Sequence, residues 1–543
     1  MSRSHRYGKK TRKIASIAVA LLMGTGLFMP AGHAAGQGGD SPTVVVSQYR
    51  FSGGQELATD SDLAALLDDS IGKPATIKDL EQQADSITRY LRSKGYFVAF
   101  AYIPAQDFAN GQINIAIEPG RYDQVIINNE TKIHDNAIKR ELGKVASGAI
   151  VEKKSLERAV WLIGDLAGAE AKTSLQAGSQ PGTTTLTINV KPEGKETWGY
   201  VGVDNGGYRY TGRTQYTALV NRANPFKEGD LLTVSGLYTG NGQKNGSISY
   251  TTPALDQGSR FGISYARSNY LLGGPFTVLG ITGTADTLSL SYQKNLQRSR
   301  NANWYGQIRF DSKDLKDEVE LLNYKSRKHA NNWVIGINGD TLDTWQGGGS
   351  NTYSFTYTKG DLDLRDADSR LADADAVTGL HTNGSFGKYN LNLTRLQHIR
   401  ERLALYLTYS YQWADENLDP SEKMYLGGPY GVRAYPVGEA SGDEGWIGMA
   451  ELRWNLPAKE GAKDTWQFIT FVDAGSVSQN KYPLAISTES NRRSLSGMGV
   501  GVNWSRENNW AARLHYSWKL GSEEAQSDDD KSGRFWFQLY KFF

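Results

Sequence analysis

The sequence predicts a mainly β fold: a 16-stranded transmembrane β-barrel preceded by two small α+β domains. Three observations predict it. The 543 residues include 60 Gly, 29 Tyr and 13 Trp, a composition that suits many short strands. Mean hydropathy is −0.50, and past the N-terminus no apolar run reaches the ~20 residues of a helical membrane span. From 196 to 543, apolar and polar residues alternate in segments of about ten, the length of a tilted transmembrane strand.

The elements follow in chain order. Arg3, Arg6, Lys9, Lys10, Arg12 and Lys13 form a basic head, Ile14 to Met29 an apolar run, and Gly32-His33-Ala34 a small-residue cleavage site. This pattern predicts a cleaved signal peptide over 1–34 and a short segment over 35–42. The first domain, 43–119, opens on a strand at Val44, Val45 and Val46. Ile77, Leu80, Ala84, Ile87 and Leu91 recur at helical spacing behind a capping box of Thr76 and Asp79, and Gly95 stops the helix. Ile113, Ile115 and Ile117 alternate as a half-buried strand. The second domain, 120–195, repeats the order, with a strand at Val125 to Ile127, a helix at Leu156 to Leu166 and a strand through Leu186, Ile188 and Val190.

The barrel takes 196–543. Trp510, Ala512, Leu514, Tyr516 and Trp518 share one strand face, and Ala511, Arg513, His515 and Ser517 the other. Aromatic residues at both tips of the apolar face match membrane girdles. The segments 403–411 and 446–454 repeat the pattern, the latter with Glu451 and Arg453 on its polar face. Sixteen such segments can be counted, and single-chain bacterial barrels have even numbers. The long connections 269–283, 313–329, 361–384, 414–443, 478–494 and 519–532 all follow odd strands. With the N-terminal domains periplasmic, those connections are extracellular.

Several chemistries are excluded. A net charge of +2 indicates no nucleic-acid partner. The absence of Cys removes thiolate metal sites, iron–sulfur clusters and thiol catalysis. The His residues show no metal-ligand spacing, and neither a nucleophile elbow nor a phosphate loop occurs, so no enzyme, cofactor or nucleotide partner is expected. The acidic run Asp361, Asp363, Asp366, Asp368, Asp373 and Asp375 lacks calcium-loop spacing and reads as a solvated extracellular loop. Asn224-Pro225-Phe226 with Gly229-Asp230 reads as a tight periplasmic turn.

Particular residues carry a resemblance. Gly95-Tyr96, Pro104-Ala105-Gln106, Gly111 and Ile113-Asn114-Ile115 resemble the first POTRA domain of two-partner secretion transporters, the TpsB or ShlB-type haemolysin secretion/activation proteins. Leu156-Glu157-Arg158-Ala159, Leu162, Asp165-Leu166-Ala167-Gly168 and Gly182-Thr183-Thr184-Thr185-Leu186 resemble the second, with Ala167 where the family usually has Pro. Val432-Arg433-Ala434-Tyr435-Pro436, in 414–443, resembles the Val-Arg-Gly-Tyr motif of the sixth extracellular loop in outer-membrane insertases and translocons, with Ala434 for Gly. Phe471-Val472-Asp473-Ala474-Gly475 resembles the motif that this superfamily carries on strand thirteen, which is its place in the strand count. Phe543, after Phe535, Phe537 and Leu539, resembles a C-terminal insertion signal, with Lys541 interrupting the pattern.

The resemblance implies an outer-membrane transporter for one large secreted partner, a haemolysin- or adhesin-like exoprotein, captured by the POTRA domains and passed through the pore. It also implies contact with outer-membrane lipid and insertion by the barrel assembly machinery. An acid on the lipid face is costly, so Asp473 is expected in the lumen, where Arg433 of a folded-in loop can pair with it. An assembly insertase and a porin or adhesin are the alternatives. Many relatives place an N-terminal helix inside the barrel. Residues 35–42 are too few and too Gly-rich for one, which leaves 414–443 as the expected obstruction.

Overall fold

The computed structural model describes residues 43–543 except 109, 241, 459, 485, 488 and 489. The expected signal peptide, the segment 35–42 and the plug argument built on it lie outside the described residues. Two units emerge, one ending at Gly194 and the other running Lys195–Phe543.

In the first unit, β1 (Thr43–Val45) and β2 (Gln48–Ser52) replace the single strand expected at 44–46. The reason is a change of partner. β1 pairs with β3 (Pro74–Thr76), whereas β2 joins β5 (Gln112–Glu118). Between them lies α1 (Asp60–Ala65), and α2 (Ile77–Ser93) and β4 (Phe100–Tyr102) complete the domain. The capping box is formed: Thr76 Oγ1 accepts from Asp79 N at 3.2 Å, and Asp79 Oδ2 accepts from Thr76 N at 2.8 Å. Leu80, Ala84, Ile87 and Leu91 of α2 bury against Ile113, Ile115 and Ile117. The Gln106 side chain clamps the β5 backbone, donating to Asn114 O at 2.8 Å and accepting from Asn114 N at 2.7 Å.

The second domain follows as β6 (Arg121–Asn129), α3 (Asp135–Arg140), α4 (Lys153–Gly164), β7 (Ala169–Ala177) and β8 (Thr183–Pro192), with sheet order β6-β8-β7. Leu156, Ala159 and Ile163 on one stripe of α4 bury against Leu186, Ile188 and Val190, an amphipathic helix on a half-buried sheet.

The second unit is a closed antiparallel barrel. Its first eleven strands are β9 (Thr197–Asp204), β10 (Gln215–Ala223), β11 (Leu231–Tyr238), β12 (Gln243–Pro253), β13 (Ser259–Leu271), β14 (Ile281–Arg298), β15 (Ala302–Val319), β16 (Tyr324–Asp343), β17 (Gly349–Leu364), β18 (Gly384–Arg400) and β19 (Leu403–Ala414). A two-stranded ribbon, β20 (Met424–Tyr425) and β21 (Ser441–Gly442), lies in the next connection. β22 (Glu444–Asn455), β23 (Asp464–Ser478), β24 (Arg492–Arg506), β25 (Trp510–Lys519) and β26 (Gly533–Phe542) complete the sixteen, and β26 closes on β9. The expected alternation holds. On β25, Leu514, Tyr516 and Trp518 are exposed to the membrane side while Ser517 is fully buried within.

The connections 313–329 and 361–384 are shorter loops than expected. β14 to β18 run 16 to 20 residues each, well beyond the ~10 that cross a bilayer. Their outer ends carry polar residues on both faces, so backbone pairing continues in water without apolar alternation. Cross-strand and loop ion pairs line them, including Lys325–Glu318 at 3.1 Å and Arg327–Asp366 at 2.7 Å. The acidic run is accordingly divided. Asp361 and Asp363 are on β17, and α5 (Ala367–Asp373) takes the middle. Asp373 Oδ1 accepts from Thr382 N at 2.9 Å and Asp375 Oδ1 from Thr378 N at 2.7 Å. No metal-holding cluster occurs among the described residues.

The expected turn at 224–230 joins β10 to β11. Asn224 (φ +56°), Lys227 (φ +62°) and Gly229 (φ +74°) take left-handed conformations. Buried Asp230 accepts from the backbone N of Phe226 and of Glu228, both at 3.1 Å.

Candidate functional site

Loop 414–443 folds into the barrel, and its motif residues meet the strands one after another. Arg433 is 2% exposed and Asp473 of β23 is 0% exposed. The Arg433 fork grips Asp473 with Nε to Oδ2 at 2.8 Å and Nη2 to Oδ1 at 2.7 Å, and Arg433 N donates to Oδ2 at 3.2 Å. Such bidentate, charge-assisted pairs are the strong ones. The remaining Nη1 donates to Glu451 Oε1 of β22 at 2.7 Å. Arg453 donates to the other Glu451 oxygen at 2.5 and 2.8 Å and lies 3.6 Å over the Tyr406 ring. Two cations and two anions thus balance in a confined space, which makes burial tolerable.

The strand-thirteen motif divides its work by alternation. The Phe471 ring lies 3.4 Å beneath the Arg433 guanidinium, a cation–π contact. Asp473 takes the fork. At Gly475 an added Cβ would come within 3.0 Å of Leu426 Cδ2 from the loop. The loop motif divides as well. Val432 N donates to Leu426 O at 2.7 Å, folding the tip. Arg433 O accepts from Ser517 Oγ of β25 at 2.6 Å and from Trp536 Nε1 of β26 at 2.7 Å. Ala434 is fully buried over Gly497 of β24, and Tyr435 Oη donates to Glu523 O at 3.0 Å. Ala434 has no left-handed φ, so the motif does not require Gly there.

Other groups hold the loop elsewhere. Glu422 pairs with Lys388 of β18 at 2.7 Å, with Lys313 of β15, and accepts from Asn332 of β16 at 2.8 Å. Asp419 pairs with Lys328 of β16 at 2.7 Å. The loop therefore spans the lumen, its base on β15, β16 and β18 and its tip on β22 to β26. Burial raises the Glu422 carboxyl, but Lys388 and Lys313 outweigh burial and lower it to about 2. Glu439 ties the loop to the connection 520–532: it accepts from Arg493 Nη1 at 2.6 Å, and from Ser527 N and Oγ both at 2.8 Å.

Phe543 stands apart from this site. Its N donates to Gly199 O at 3.1 Å and its O accepts from Gly199 N at 3.2 Å, on the seam between first and last strands. Among the partners that the motifs alone do not reveal, Glu451 and Arg453 carry a signal, the polar face of 446–454. Gly497, Gly499 and Gly501 carry another, a glycine at every second position. An added Cβ at Gly499 would come within 2.3 Å of the Phe471 ring. Ser517 carries the same kind of signal, the polar face of 510–518; Trp536 carries none, because only the closed barrel brings it to the loop, and Glu422 and Glu439, within the loop, carry none, because only the closed barrel brings their partners to them.

The profile described as "Haemolysin secretion/activation protein ShlB/FhaC/HecB" matches residues 182–504, and that of the ShlB-type POTRA domain matches 44–120. The chain belongs to this haemolysin secretion/activation family. It is a two-partner secretion transporter of the outer membrane, not an enzyme, and the family transports secreted exoproteins. The heme/hemopexin transporter protein HuxB of Haemophilus influenzae (strain 86-028NP) is 27% identical over 493 residues, covering 90% of this chain and 85% of that protein. The outer membrane transporter CdiB of Dickeya dadantii is 23% identical over 476 residues, 85% of this chain and 80% of that one. In fold, CdiB from Escherichia coli superposes with a TM-score of 0.75 at 19% identity, covering 95% of this chain and 93% of that one. BamA from Haemophilus ducreyi lacking POTRA domains 1–3 gives 0.52 at 15% identity, covering 92% of this chain and all of that one. The family match decides against the insertase and porin alternatives.

Proposed function

We propose that this transporter captures one large exoprotein at POTRA domains over 43–119 and 120–195 and passes it through a barrel over 196–543. The exoprotein is haemolysin- or adhesin-like, or one that handles haem or haemopexin, the words in the HuxB name. The edge strands β4 and β7 can take an extended segment of the partner as an added strand. Arg433 and Asp473 act as the anchor of a loop that obstructs the lumen and must leave for transport. Val432, Ala434, Tyr435, Phe471 and Gly475 shape the anchor's seat, and Phe543 is the insertion signal read by the barrel assembly machinery. The observation that carries this reading is the loop's span from Glu422 on one wall to Arg433 on the other. The test is co-expression with candidate large exoproteins of the haemolysin or adhesin type. Deleting 43–119 is expected to abolish exoprotein secretion while the barrel still inserts with heat-modifiable migration. Normal secretion by the deleted chain would overturn the capture step.

A further inference from the structure

The lumen is lined unevenly. Exposed Val234, Ile248, Ile263 and Leu288 fix the membrane-side face of β11 to β14, and the paired registers then fix what faces inward. Inward positions of β10 to β14 are hydroxyls, amides, Gly and a few apolar residues; the charged exceptions stand at the turn ends, Arg260 on β13 and Arg298 on β14, where a bulge turns it toward Asn303. The hydroxyls and amides bond across strands, Ser235 to Ser247 at 2.7 Å, Thr233 to Asn221 at 2.8 Å and Ser268 to Asn245 at 2.6 Å. Charges gather elsewhere, at Arg309, Asp311 and Lys313 of β15 and around Glu451 and Asp473. The contacts that fix loop 414–443 also lie elsewhere, on β15, β16, β18 and β22 to β26. β17 to β19 are rich in Ser and Thr too, but Gln412 and Lys388 hold the loop base there, donating to Glu422 O at 3.1 and 2.9 Å.

We infer that the wall of β10 to β14 is the track along which an extended, unfolded polypeptide moves through the pore. The inference rests on the transport reading above. Hydroxyls and amides both donate and accept, so they match the N–H and C=O groups of an extended backbone at any register. Their hydrogen bonds to a neutral chain are weaker than those of charged groups. Conduction needs many sites, each weak enough to leave. A wall whose fixed charges stand only at its turn ends also passes acidic and basic stretches alike, whereas the closely set cations and anions around Arg433 can each hold an opposite charge on the passing chain.

The full chain, with a photoreactive benzoylphenylalanine at Ser247, Ser264 or Ser289, is placed in bilayers beside chains labelled at Met449 or Asn503 on the opposite wall. The probe is a fluorescent, unstructured peptide of Gly, Ser and Asn, and Arg433→Ala is tested in parallel as the released pore. Illumination is expected to label the three track positions about fivefold more than the other two, the excess expected from a preference for one wall of about 1 kcal/mol. Equal label on both walls, excess label at Met449 or Asn503, or no label even with Arg433→Ala, overturns the track. A second readout keeps misfolding separate. Ser247→Arg with Ser289→Arg is expected to cut peptide-induced conductance blocks severalfold, while Ser247→Asn with Ser289→Asn preserves them; unchanged blocks in the Arg variant also overturn it. Secretion by cells tests the transport reading alone, and its failure would leave the labelling pattern standing.

Discussion

Ala434 and Gly497 share room for one side chain. A Cβ added at Gly497 would come within 2.5 Å of Ala434 Cβ, a separation that packed side chains do not tolerate. The loop motif and the fourteenth strand are therefore matched: this chain carries the Ala on the loop and the Gly on the wall. Gly497→Ala is expected to unseat the loop tip and raise single-channel conductance in planar bilayers. Adding Ala434→Gly is expected to restore the closed conductance. If the double variant conducts like Gly497→Ala alone, the two positions do not share that space.

The ion-pair cluster is expected to respond as a unit. Arg433→Ala leaves Asp473 uncompensated inside the barrel and Glu451 with Arg453 alone, and removing one partner of a buried pair costs about 3–5 kcal/mol. Asp473→Ala leaves Arg433 with Glu451. Arg433→Ala is thus the more severe change in a secretion assay, and Arg433→Ala with Asp473→Ala is little worse than Arg433→Ala. Arg433→Lys is not expected to rescue, since an ammonium cannot make the fork and stack on Phe471 together. Fully additive defects would separate the residues.

The sixteen strands are legible in the sequence where one face meets lipid and the other the lumen, because that boundary imposes the two-residue period. Leu403, Leu405 and Leu407 against Ala404 and Thr408 read directly. The outer halves of β15 to β17 do not read, since water bathes both faces and Lys316, Glu318 and Lys325 replace the alternation with ion pairs. Of the site, Arg433 and Asp473 are legible through their motifs and the strand count. Glu451 is legible only as a polar position with no named partner. Trp536, 103 residues from Arg433 in the chain, becomes a neighbour only when β26 closes the barrel.

Glu439 is expected to govern the extracellular side independently of Arg433. Its carboxylate accepts from Arg493, Gln526 and Ser527, so it joins three separate segments. Glu439→Ala is expected to speed proteolytic cutting within 520–532 on intact cells several-fold, while Arg433 and its partners stay in place. Unchanged protection of 520–532 would show that the Asp528 contacts with Arg213 and Arg534 hold that connection without Glu439.

Acid should release the loop base, and the sign follows from Glu422. Its carboxyl is lowered to about 2 in the closed loop, against an ordinary value of 4.5. A lowered carboxyl contributes stability above its ordinary value and loses it as pH falls through its lowered one. The closed loop is therefore expected to be insensitive between pH 8 and pH 5 on this account, to weaken below about 4.5 and to have lost this contribution near 2. Lys388→Met with Lys313→Met removes the two charges that hold the carboxyl down while burial remains. The carboxyl then rises above its ordinary value, which reverses the dependence: ionised Glu422 now opposes closure at neutral pH, and protonation favours it. Conductance measured from pH 8 to pH 3 should rise on acidification in the parent chain and fall on acidification in the double variant. The same rise in both would assign the acid response to other carboxylates, and no rise in the parent would remove Glu422 from the anchoring of the loop.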